Sequence, residues 1–139
     1  MGLLKKGVDG GIPLTSTAAI SYSGLLLKVD TTADQCALCG AGEYPDGFAY
    51  TDTVDPQTGT AAAGLVTMAP LQAGDIVDMR LPDTHSAITV GAAMETAASG
   101  CVIIKSGAGQ IVGKALEAID ANTGGYVRVY VIPTYYASS

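Results

Sequence analysis

The sequence predicts an all-β protein, and three observations support that prediction. Turn signals that contain glycine recur along the 139 residues, from Asp9-Gly10-Gly11 to Thr123-Gly124-Gly125. The runs between them are short and rich in Val, Ile, Thr and Tyr, which is typical of strands rather than of long helices. The last run, Tyr126–Ile132, alternates between apolar and polar positions, as a half-buried strand does.

The first two dozen residues contain too little bulk to form a core. They hold two glycine clusters, Pro13 and a Thr15-Ser16-Thr17 run, so we predict an extended N-terminal arm over residues 1–24 and a single β-rich domain over residues 25–139. The apolar residues of this arm would then contact another molecule, and these are Leu3, Leu4, Ile12 and Leu14.

Residues 74–81 form the next clear strand of the domain. Val77, Met79 and Leu81 are predicted to face inward, while Asp78 and Arg80 face outward. Pro82 would end this strand, just as Pro133 would end the last one.

Three further segments are less regular. Ala87–Gly91 and Cys101–Lys105 are short strand candidates that suggest a hairpin or a barrel corner. Residues 110–120 fit a strand or a helical turn, and Gly113 together with the β-branched start favours the strand. The segment Thr58–Gly64 shows no clear preference for a strand or a helix, so we predict an extended loop there.

Size and charge exclude several classes of protein. A chain of 139 residues is near the usual size of one domain. Its net charge of −6 has the wrong sign for nucleic-acid binding. No apolar stretch reaches about 18 residues, so no transmembrane helix is expected. No secretory signal is visible, so we expect intracellular production.

The acidic residues are concentrated in one part of the chain. Between Lys28 and Arg80 there are eight acids and no base. They are Asp30, Asp34, Glu43, Asp46, Asp52, Asp55, Asp75 and Asp78. Three of these, Asp46, Asp52 and Asp55, could bind Ca²⁺ in principle, but their spacing lacks the alternate-position ligands of an EF-hand, which favours solvated loop carboxylates.

Groups that could support catalysis or bind a metal are few. Cys36 and Cys39 have metal or redox spacing, but the further ligands of a zinc site could come only from Cys101 and His85. Buried thiols are therefore favoured over a metal or redox site. His85 lies in a polar turn, and no nucleophile elbow accompanies it. We predict no catalytic residue, metal or cofactor.

Tyr135 and Tyr136 follow Pro133 near the C-terminus. Exposed tyrosines are favoured at protein interfaces, so these two residues are candidate contacts with a partner. A tail that packs on its own domain is an equal alternative.

The C-terminal third resembles a known family. Ile111–Ala118, the Asp120–Gly125 turn and Tyr126–Val131 together resemble the closing hairpin of the small capsid decoration (cement) proteins of tailed bacteriophages and related viruses. Ile88–Gly91 and Gly100–Val102 are similar to the preceding hairpin. The arm and the Cys36–Cys39 segment match no signature of that family.

The resemblance implies a compact small β-barrel or β-tulip-like domain with a structural, non-enzymatic role. It implies a homotrimer on the outer capsid surface of the virion that bridges subunits of the major capsid protein and stabilises the head, without contact to nucleic acid or membrane. Two alternatives stay open. One is another self-assembling subunit of a tail, fibre or surface layer, and the other is a small trimeric β enzyme of the nucleotide-hydrolase kind.

Overall fold

The computed structural model describes residues 11–107 and 110–132 and confirms the all-β class. Over these residues the chain forms ten strands and one short 3₁₀ turn, Ala98–Gly100. The first five strands are β1 (Ile12–Ser16), β2 (Leu26–Val29), β3 (Gln35–Leu38), β4 (Gly47–Ala49) and β5 (Leu65–Pro70). The second five are β6 (Ile76–Arg80), β7 (Ala93–Thr96), β8 (Val102–Ile104), β9 (Ile111–Ala115) and β10 (Tyr126–Val131).

The first five strands close into a barrel in the order β1-β3-β2-β4-β5. Strand β1 closes it, because it pairs antiparallel with β5, where Ile12 lies opposite Met68, and parallel with β3, where Thr15 lies opposite Gln35. The predicted arm therefore differs from the structure over Ile12–Ser16. Alternate side chains of this segment face the barrel interior, and small residues suffice there because the barrel is narrow. Residues 1–10 lie outside the described residues, so an arm there stays a prediction.

The second five strands form an open sheet in the order β6-β10-β9-β7-β8. Its centre confirms the clearest sequence predictions. Strand β10 pairs antiparallel with β6 on one side and with β9 on the other, and β9–β10 is the predicted closing hairpin. The strand predicted within residues 110–120 is β9, and Thr58–Gly64 lies in the extended connection between β4 and β5 as expected.

The strand predicted at Ala87–Gly91 is wrong. There only Ile88 pairs, in an isolated bridge with Ile119, while Thr89 and Val90 are exposed. The partner of β8 is instead β7, which begins at Ala93. The side chains of Met94, Glu95 and Thr96 are all buried, so this strand lacks the alternation by which a strand is recognised in a sequence.

The core consists of two clusters of small and medium side chains. One fills the barrel and contains Leu14, Ile20, Leu25, Leu27, Cys36, Ala49, Val66 and Met68. The other lies under the second sheet, where Val127, Val129 and Val131 of β10 pack with Val77, Met79 and Leu81. Leu26 and Cys39 of the barrel belong to this second cluster. The two sheets therefore share apolar contacts and do not form separate cores.

The Ala98–Gly100 turn fixes the two sheets against each other. It connects β7 to β8, and the Gly100 amide donates a hydrogen bond of 2.7 Å to the Cys39 carbonyl of the barrel. Gly100 has a φ of +78°, and a Cβ atom there would lie 2.8 Å from the Leu26 carbonyl oxygen. Only glycine permits both this left-handed conformation and this close backbone approach.

We expect Gly100→Ala to lower the free energy of unfolding by about 3 kcal/mol, because alanine adds steric overlap with the β2 backbone to the cost of a positive φ. Gly59→Ala is the matched control. Gly59 also has a positive φ, of +72°, but no atom lies within 4 Å of the added Cβ. We expect Gly59→Ala to lower the free energy of unfolding by only about 1 kcal/mol. Urea unfolding followed by circular dichroism measures both, and equal losses would contradict this role of Gly100.

Candidate interaction surface

The sequence-predicted interface residues lie in two places. Ile12 and Leu14 are in β1, where Leu14 is buried in the barrel core and Ile12 packs against it. In the structure both contribute to the barrel itself. Leu3, Leu4, Tyr135 and Tyr136 lie outside the described residues, so their role as contacts stays a prediction.

The three thiols pack against the core clusters, and the Cys39 thiol also donates a hydrogen bond of 3.4 Å to the Glu43 carbonyl oxygen. Cys36 is buried in the barrel cluster and Cys39 in the cluster under the second sheet, so their side chains point into different parts of the core. Cys101 is half-buried and packs against the barrel cluster. Burial raises the pKa of Cys39 to about 12 and also raises the pKa of Cys36 and Cys101. This placement agrees with packed thiols that are poor nucleophiles.

Alkylation of the native protein tests this placement. With a Cys39 pKa of about 12, roughly one thiol in ten thousand is a thiolate at pH 8, so iodoacetamide should leave Cys39 unmodified until the protein unfolds. Cys36 should be protected in the same way, and Cys101 should react first. Peptide mass spectrometry measures the order. Rapid modification of Cys39 in the folded protein would show that it is a reactive thiol.

His85 is a structural residue in the turns next to the second sheet. Its imidazole is buried, Nε2 accepts a hydrogen bond of 3.1 Å from the Gly124 amide, and Nδ1 lies 2.8 Å from the Ser86 carbonyl oxygen. These partners fit the neutral tautomer with the proton on Nδ1. The Asn122 side-chain oxygen accepts a hydrogen bond of 2.8 Å from the His85 backbone amide. His85 therefore connects its own turn to the turn that contains Asn122 and Gly124.

The loop carboxylates considered for Ca²⁺ accept hydrogen bonds from backbone amides, Asp52 and Asp55 within their own turns and Asp46 from the last residue of β2. The Asp46 carboxylate accepts a hydrogen bond of 2.7 Å from the Val29 amide. The carboxylates of Asp52 and Asp55 accept hydrogen bonds from the amides of Val54 and Gln57. Among residues 11–107 and 110–132, no group of three His, Cys, Asp or Glu side chains is arranged to hold a metal ion. Nor does this part of the chain contain a helix long and apolar enough to cross a membrane.

The outer face of the second sheet carries exposed tyrosines and cations. Tyr126 and Tyr130 of β10 lie there, opposite Arg80 and Ile76 of β6. Tyr130 of β10 and Ile76 of the edge strand β6 are exposed by 41% and 61%. Tyrosine and arginine are enriched in protein interfaces. This composition makes the face a candidate interaction surface.

Arg80 occupies a pocket where this face meets the barrel. Its guanidinium lies 3.7 Å from the ring centre of Tyr22 and 5.3 Å from that of Tyr126. The Tyr126 hydroxyl donates a hydrogen bond of 2.9 Å to the Ser23 carbonyl, which holds the second ring in place. We call this cavity of about 250 Å³ the Arg80 pocket, and its apolar walls include Leu25, Leu38, Leu81 and Pro82.

The basic side chains of the described residues differ in whether a carboxylate forms an ion pair with them. Lys28 pairs with Glu43 at 2.6 Å, and this hydrogen bond raises the pKa of Lys28 and lowers that of Glu43. Arg128 pairs with Asp78 at 3.3 Å on the surface. Within the described ranges no carboxylate lies at ion-pair distance from Arg80. Among the described residues, the Arg80 pocket therefore presents a positive charge without a carboxylate at ion-pair distance.

Sequence reasoning did not identify this pocket. The outward direction predicted for Arg80 is confirmed, but Tyr22 lies far from it in the sequence and no local pattern relates the two residues. The one available signal is indirect, since Arg80 ends a run of eight acids without a base.

The fold has been seen before in a bacteriophage protein. The chain is similar to the solved N base of head fiber gp8.5 of bacteriophage phi29, with a TM-score of 0.61 and 15% sequence identity. The match covers 85% of this chain and 91% of that chain. At this identity the likeness shows a shared fold. No protein family and no curated protein matches the sequence.

Proposed function

We propose that this chain is a bacteriophage structural protein of the virion, and more narrowly a capsid decoration (cement) protein. In this proposal it binds the outer surface of the head and stabilises it by bridging subunits of the major capsid protein. The observation that carries the proposal is the fold shared with a phage head fiber base over nearly the whole chain. The resemblance of the β9–β10 hairpin to the decoration family points in the same direction.

The positions of the chemically capable groups also support a structural role. The side chains of Cys36 and Cys39 are used in packing, and both ring nitrogens of His85 contact backbone groups. The exposed face of the second sheet instead carries tyrosine and arginine, which supply contact area and directed hydrogen bonds in protein interfaces. We propose that the protein associates with itself as a homotrimer and with the major capsid protein.

Binding to heads tests the proposal. Purified protein added to expanded heads of the encoding phage that lack it should sediment with them and raise their melting temperature, because a ligand that binds the assembled state stabilises it. Unexpanded proheads serve as the comparison. A protein that leaves both sedimentation and melting of expanded heads unchanged is not a decoration protein.

A second candidate is favoured by the same structural match, namely that the chain forms the base of a fibre on the head. Copy number separates the two, since a decoration protein covers the lattice and a fibre base occupies few positions. Quantitative mass spectrometry of purified virions measures this number. A ratio to the major capsid protein near one favours decoration, and a ratio far below one favours the fibre base.

A further inference from the structure

The Arg80 pocket has the properties of a site for a carboxylate. A guanidinium binds a carboxylate with two parallel hydrogen bonds, and the two tyrosine rings hold Arg80 without using its N–H donors in hydrogen bonds. The apolar walls reduce the screening of the charge by water. A side chain that is already ordered also loses less conformational entropy when it binds. The pocket is therefore preorganised to bind a carboxylate.

A free carboxylate lies at the tip of the β2–β3 hairpin of the same chain. Asp34 is exposed, and it ends a turn in which Thr31, Thr32 and Ala33 are exposed as well. Its side chain makes no hydrogen bond or ion pair with any described residue, unlike those of Asp30, Asp46, Asp52 and Asp55, each of which accepts a backbone amide. The Thr15 amide donates a hydrogen bond of 2.8 Å to the Asp34 carbonyl oxygen and fixes the turn beside β1, while the exposed side chains of the turn are small enough to approach a cavity of about 250 Å³.

The two sites lie at opposite ends of one hairpin. Leu25, just before β2, and Leu38, the last residue of β3, line the Arg80 pocket, whereas Asp34 belongs to the turn at the other end. Four residues of extended strand separate Asp34 from Leu38, which is roughly 13 Å. Asp34 therefore cannot reach the pocket of its own chain, but it can reach the pocket of another copy.

We propose that the Arg80 pocket of one copy receives the Asp34 carboxylate of a second copy, so that the chains associate head to tail. This inference rests on the self-association included in the proposed function and names the contact that produces it. A contact between two different surfaces of one protein is the kind from which cyclic oligomers are built. Charge complementarity favours the arrangement, because the acidic barrel of one copy meets a cation of the next.

Asp83 is the acidic residue on the rim of this pocket, and it bears on the same contact. Its carboxylate is exposed and lies outside ion-pair distance of Arg80. It would repel an entering carboxylate. Asp83→Asn should therefore leave self-association unchanged or strengthen it.

A double-mutant cycle between copies tests the contact. Sedimentation equilibrium of the full chain at low ionic strength gives the self-association constant of wild type, Asp34→Asn, Arg80→Gln and the double variant. Each single change should weaken association about tenfold, and Asp34→Asn should have no further effect in the Arg80→Gln background. Asparagine tolerates the positive φ of 61° at this turn, so Asp34→Asn should fold normally.

Lys105→Gln is the control, since Lys105 is exposed, lies outside the pocket and follows β8, at the opposite edge of the second sheet from β6. It should associate like wild type. The proposal is overturned by a wild type that stays monomeric, by additive effects of the two substitutions, or by an equal loss in Lys105→Gln. Head binding by the same variants is measured separately. Variants that self-associate normally but lose head binding would assign the pocket to the capsid protein instead.

Discussion

The close approach of the Ala98–Gly100 turn to strand β2 is the constraint on which the rest of the structure depends. Gly100 donates a hydrogen bond to the Cys39 carbonyl, and the Leu26 backbone leaves no space for a side chain at that position. Gly24 makes a second contact of this kind, because a Cβ atom there would lie 2.6 Å from the Asp78 carbonyl oxygen of the other sheet. With no tryptophan and one phenylalanine, the chain has few large side chains to bridge a gap, so backbone contact at glycine joins its two halves.

The same junction produces the candidate interaction surface. The Arg80 pocket exists because Leu25 and Leu38 of the barrel region meet Leu81 and Pro82 next to the second sheet. Tyr22 from one half and Tyr126 from the other hold the guanidinium between them. A charge in such a position is both ordered and accessible, which suits recognition of another protein better than a mobile surface lysine. The fold and the proposed self-association thus depend on the same contacts between the barrel and the second sheet.

The strands with one buried face could be predicted from the sequence. The segments that depend on pairing or contact with distant residues could not, because no local pattern marks them. Strands β6 and β10 alternate because one face of each is buried, so Val77, Met79, Val127 and Val129 are recognisable. Strand β7 is buried on successive residues and shows no period. The segment Ile12–Ser16 resembles an arm because it is small, and it becomes a strand only by pairing with the distant β5. The contact between Tyr22 and Arg80 likewise arises from tertiary structure alone.

We expect the barrel and the second sheet to be one folding unit joined at Gly100. Native-state hydrogen exchange tests it most directly, because it reports the free energy at which each segment opens. The slowest amides of β2 and of β10 should exchange with the same free energy, equal to that of global unfolding. Exchange of the β2 amides at a clearly lower free energy, with β10 still protected, would show that the barrel opens alone and that the two sheets are separate folding units.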